Sequence, residues 1–223
     1  MRPRFSNTIL TGILASLLLL IGDILFYEGW INPTKDLYAL NLIRIPYESL
    51  SSLSEWRIYT NVLLALLCTI MYLRSAEIFR FIYYSDQNFE KKWSVSIYKY
   101  IVVSIGLAHL AYLSIPVAVQ AAPENGVEIT QGLLSIFDSL SITAIVLSVL
   151  LSIVYLPKLL MRQTRLPGWT FIFFPTISVP LLIGITLSLP NHIITAVVQG
   201  ASINLGMLIY FILLLILKER FRR

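Results

Sequence analysis

Gln131 to Leu156 reads QGLLSIFDSLSITAIVLSVLLSIVYL, 26 residues with a single charged side chain, Asp138. A helix rising ~1.5 Å per residue needs about 20 mainly apolar residues to cross a ~30 Å hydrocarbon core, and this run supplies them. Hydrocarbon offers the backbone no hydrogen-bond partner, and a helix satisfies its own amides and carbonyls. A transmembrane barrel would show alternating segments of about 10 residues. This stretch is long and unbroken, so it reads as a membrane helix.

Five further runs have the same character: Thr8 to Tyr27, Ile58 to Arg80, Val95 to Val119, Gly168 to Leu189 and Ile193 to Leu217. Prolines and charged residues punctuate the gaps, as in SDQNFEKKW before Val95 and PKLLMRQTRLP before Gly168. Apolar residues make up 57% of the 223 and charged ones 13%, about half the charge of a soluble domain. No single soluble core can hide that much apolar surface. The expected fold class is therefore all-α: a polytopic membrane helix bundle of about six transmembrane helices, forming a single transmembrane domain over residues 1–223.

Of the 17 Lys and Arg, 14 fall at the N-terminus, around the second and fourth connections and in the tail. Lys35, Arg44 and Arg57 lie in the first connection. By the positive-inside rule both termini are cytoplasmic. The net charge of +5 then faces anionic lipid, and no nucleic acid is expected as a partner. The N-terminal run lacks a small-residue cleavage pattern and reads as a retained first helix. Cys68 stands alone, which excludes an intrachain disulfide and a thiolate metal cluster and leaves a packing role. The outer connection, residues 28–57, mixes apolar and polar residues with Tyr38, Tyr47 and Trp56; it is expected to form a short interfacial helix broken at Pro46, with a lid over an outward-facing cavity as the alternative.

Ionisable groups inside spans are costly and point to function. Counting the rise per residue places Asp23 and His109 roughly 21–22 Å from the inner face, and Asp138 and Gln199 roughly 9–10 Å below the outer one. One polar layer is expected, with Asp23, His109, Asp138 and Gln199 as candidate ligand-binding residues. Helical spacing puts Gly12, Ser16 and Asp23 on one face, a serine-rich stripe from Gln131 to Ser152 on another, and Thr195, Gln199, Ser202 and Gly206 on a third. Small and hydroxyl residues of this kind also serve helix packing. Arg74 and Glu77 are expected to pair at i, i+3, and Pro175 and Pro180 to bend the fifth helix. His192 is the only other histidine, and no metal-binding spacing is present, so neither metal nor cofactor is expected. Nucleophile elbow, phosphate loop and internal repeat are also missing.

The strings IGDILFYEGW at Ile21 to Trp30, LSEWRIY at Leu53 to Tyr59, AHLAY at Ala108 to Tyr112 and LPNHIITAVVQGASINLGMLIYFI at Leu189 to Ile212 resemble an uncharacterised bacterial family of multi-pass membrane proteins. In that family a GD-x-L-x-Y string closes the first helix. The chain departs from it at Thr60-Asn61-Val62, where glycines are expected. The resemblance implies a bacterial inner-membrane location and no mechanism. Three functions stay open: an outward-facing polar pocket for a small polar or amphipathic ligand, an intramembrane lipid-modifying enzyme using His109 and an aspartate as acid and base, and a structural or accessory subunit. Expected partners are membrane lipids, with a small ligand or lipid in the pocket and a homo-oligomer or partner subunit left open.

Overall fold

The computed structural model describes residues 3–26, 37–40, 43–45, 50, 52–189 and 193–221. Helix α1 spans Pro3–Leu25. Its Leu10, Leu14, Leu17, Ile21 and Ile24 are exposed, whereas Ile9, Ala15, Ser16, Leu19 and Asp23 are buried. The polar and small residues thus face inward and the large aliphatic ones outward, the reverse of a helix on a water-soluble domain. α2, Glu55–Ser75, repeats the pattern: Leu63, Leu66, Leu67 and Ile70 are exposed, Asn61, Ala65, Cys68 and Tyr72 buried. A 3-10 turn, Ala76–Ile78, and a short helix α3, Phe79–Ile82, prolong it.

α4, Asn88–Ala121, and α5, Gly126–Leu160, are 34 and 35 residues long and run back on each other as a hairpin. A 3-10 segment, Gly168–Phe173, then leads into α6, Pro175–Leu187. The expected fifth span is thereby cut in two. Phe174 is extended (φ −67°, ψ 132°), because the ring of Pro175 disfavours the helical region for the residue before it. α6 has 13 residues, roughly 20 Å of helix. α7, Ile193–Gly200, and α8, Ser202–Ile216, are separated at Ala201. The helical ladder passes through it, since Ala201 N–H donates to the Val197 carbonyl (2.8 Å) and Leu205 N–H to that of Ala201 (2.9 Å).

Among the described residues, four helical segments are long and apolar enough to cross a membrane: Phe5–Leu25, Glu55–Ile82, Asn88–Ala121 and Gly126–Leu160. α6 and α8 are shorter apolar helices. The helices form a ring in chain order. α1 packs on α2, α2 on α4, α4 on α5, α5 on α6 and α6 on α8, and α8 returns to α1. Two hydrophobic clusters fill the interior. One gathers Phe5, Ile9, Cys68, Phe79, Tyr155 and Phe211; the other gathers Phe26, Leu53, Ile58, Leu113 and Leu134.

Three sequence expectations need correction. Residues 37–45 contain an antiparallel hairpin instead of an interfacial helix, pairing β1 (Leu37–Ala39) with β2 (Ile43–Ile45) in the register Leu37–Ile45. β-branched Ile43 and Ile45 favour that state, while Pro46 and Tyr47 lie outside the described residues. Glu77 pairs with Arg80 (2.8 Å) and Lys99 (3.6 Å) instead of Arg74. Within the serine stripe, Ser152 does join α5 to α6 through Thr176 (2.7 Å). Ser135 and Ser139 are exposed and bond their own helix's carbonyls.

Candidate functional site

On α1, Leu19 belongs to the first hydrophobic cluster and Phe26 to the second, and Asp23 lies between them in sequence. The carboxyl is buried and accepts a hydrogen bond from Asn204 Nδ2 on α8 at 2.8 Å. The Tyr72 hydroxyl on α2 shares its single proton between Ser16 Oγ on α1, at 2.9 Å, and Asn204 Oδ1, at 3.4 Å. The first two helices are thus tied to α8, far along the chain, through one polar cluster. Close approach of the backbones makes it possible. A Cβ at Gly12 would lie 2.5 Å from the Phe211 ring of α8, and one at Gly22 would lie 2.6 Å from Asn61 Oδ1 of α2.

Asn61 completes the group. It is 2% exposed, touches the backbone next to Asp23, and its Nδ2 has no hydrogen-bond partner among the described residues. A buried amide left without an acceptor costs about 1–3 kcal/mol, and a carboxyl sunk among apolar helices calls for a proton or a positive partner. The cluster therefore offers a carboxyl oxygen, carboxamides and hydroxyls, a set able to hold a small group that both donates and accepts hydrogen bonds.

The four residues of the expected layer have different surroundings. Asp23 is at the centre of the cluster just described. Asp138 is half-buried on α5, and its Oδ1 accepts from the backbone N–H of Leu40 (2.9 Å), whose φ of 52° makes it a strained non-glycine turn residue. That carboxyl braces the hairpin. His109 is half-buried on α4, and among the described residues no hydrogen bond links it to Asp23 or Asp138. Gln199 is buried on α7 and has a polar partner of its own. Sequence reasoning placed Ser16 on the face of Asp23 but left out Tyr72 and Asn61 and set Asn204 nearer the membrane centre. The signal for Asn61 and Asn204 was present, a carboxamide inside an apolar helix. Depth counting obscured it, because it treats helices of unequal length and tilt as if they shared one frame.

A model for a family of unknown function, DUF6796, matches residues 2–220. The chain belongs to that family. No curated protein and no solved structure matches it. The match covers every DUF6796 residue in the cluster, from Ser16 on α1 to Asn204 on α8.

Proposed function

We propose that this integral membrane protein crosses the bilayer six times with both termini in the cytoplasm, and that the Asp23 cluster binds or passes a small polar or amphipathic ligand bearing a donor group for the carboxyl and an acceptor for the Asn61 amide. α6 together with its 3-10 lead-in supplies the fifth span, and α7 with α8 the sixth. The resemblance to bacterial multi-pass proteins supports a bacterial inner-membrane location. Lipid covers the exposed leucine and isoleucine faces of α1, α2 and α5.

Asn61 carries the reading. A cluster that only braced three helices would satisfy its own polar atoms, since a buried orphan amide weakens the fold it is meant to hold. A bound ligand supplies the missing acceptor. The experiment is thermal denaturation of the purified protein with ethanolamine, choline, glycine or glycerol as probes. A ligand that binds only the folded state raises the midpoint with concentration. At least one probe should do so for the natural chain and not for Asp23→Asn, with both folded at the start. If no probe shifts the natural chain, or if Asp23→Asn responds equally, the cluster is structural.

A further inference from the structure

The turn that ends α5 borders a cationic cleft away from the Asp23 cluster. α5 closes with the paired bonds of a Schellman motif: Arg162 N–H donates to the Leu159 carbonyl (3.1 Å) and Gln163 N–H to that of Lys158 (2.7 Å). The motif sets Arg162 in the left-handed region, φ 57°, where glycine is the usual occupant because a Cβ is strained. The chain keeps a long cationic side chain at a position that favours none. Strain held at one residue is a pointer to use.

Three residues on, Arg165 is locked in place. Its N–H donates to the Ile82 carbonyl of α3 (2.9 Å) and its Nη1 to the Phe221 carbonyl of the C-terminal turn (3.3 Å). Its Nε is buried with no hydrogen-bond acceptor among the described residues. The 3-10 turn Lys218–Phe221 adds Arg220. Together with Tyr84, Leu160 and Trp169, these three arginines line a cleft of about 490 Å³. An adjoining cleft shares Tyr84, Arg165 and Arg220 and adds Glu219, the one acid among the described residues that line the two clefts, so the arginines outnumber it. Leu160 and Trp169 are more than half exposed, giving the cationic cleft an apolar rim.

Guanidinium groups fork onto phosphate oxygens, tryptophan and tyrosine settle at the level of lipid headgroups, and basic pockets at the ends of membrane helices hold anionic headgroups. We propose that the cleft formed by Arg162, Arg165 and Arg220 beside Trp169 binds a phosphate group, carried by an anionic phospholipid or by a soluble phosphate. The unpartnered Arg165 Nε donates to it, and acyl chains of a lipid lie along Leu160 and Trp169.

The test uses the full chain in a neutral detergent. Native mass spectrometry compares retention of phosphatidylglycerol with that of phosphatidylcholine, and thermal midpoints compare inorganic phosphate with chloride at equal ionic strength. Arg162→Gly and Arg220→Gln are set against Lys92→Gln, an exposed cation outside the cleft. Arg162→Gly should fold at least as well as the natural chain, because glycine suits its backbone. Each cleft variant should retain phosphatidylglycerol about fivefold less well, the effect expected of one arginine near an anionic surface. If only the response to inorganic phosphate falls in these variants, the phosphate is soluble and the site stands. The proposal is overturned if both cleft variants behave as the natural chain does, or if Lys92→Gln loses as much as they do.

Discussion

Asn61 shows how much one side chain can reveal. Its Nδ2 is buried without a partner among the described residues, so with the site empty it is a net liability. Leucine keeps the same branched skeleton, though with larger methyl ends, and asks for no acceptor, and replacing a buried orphan by an apolar group removes a penalty of about 1–3 kcal/mol. Asn61→Leu should therefore raise the thermal midpoint of the protein in plain buffer and abolish any stabilisation by the probes that act through Asp23. A lowered midpoint would mean that the amide is satisfied in the folded protein and that nothing is owed to a ligand. Asp138 has a different lesson. From the sequence it is the twin of Asp23, one carboxyl in an apolar run. Its partner is a backbone amide in the turn of a short hairpin, and nothing in the pattern of α5 announces a loop 98 positions away. The Gly12, Ser16, Asp23 face was legible because those spacings depend on α1 alone.

Helix contacts in this bundle hinge on where a side chain is missing. A Cβ at Gly12 would lie 2.5 Å from the Phe211 ring, whereas one at Gly132 on α5 would have nothing within 4 Å. In an exposed helix interior, alanine is favoured over glycine by about 1 kcal/mol. Gly132→Ala should thus raise the thermal midpoint slightly. Gly12→Ala should lower it, because forcing α1 from α8 by one methyl group costs about 1–3 kcal/mol of overpacking. Equal effects of the two changes in detergent would place α1 and α8 further apart. The last helix follows the same rule only in part. Gly206 lies against Val179 and Ser178 of α6, as its small-residue face led one to expect, but Gly200 on the same helix run is exposed. The helical ladder runs through Ala201, and residues six apart lie about 240° around a helix, so the two glycines point to different sides of the run. Pro175 was legible as a bend, and its effect on Phe174 is sharper, since it ends one element and begins another.

At the scale of the whole molecule, the long apolar helices follow from composition and run length, which is why the membrane character was evident before any coordinates, whereas their order around the ring comes from the contacts alone. Orientation rests on the cations. A reporter fused after Phe221 should be active only in the cytoplasm, and one inserted beside Glu124 only outside; the opposite pattern would falsify the topology and turn the arginine cleft to the outer leaflet. The ring also has a timetable. Asp23 and Asn204 are separated by 181 positions, and at about 5–20 residues per second a ribosome needs roughly 10–40 s to make the chain between them. On the proposed topology, α1 would wait through that interval without the Asn204 amide that donates to its carboxyl. A carboxyl in that position stays protonated or hydrated until α8 is made and supplies its donor.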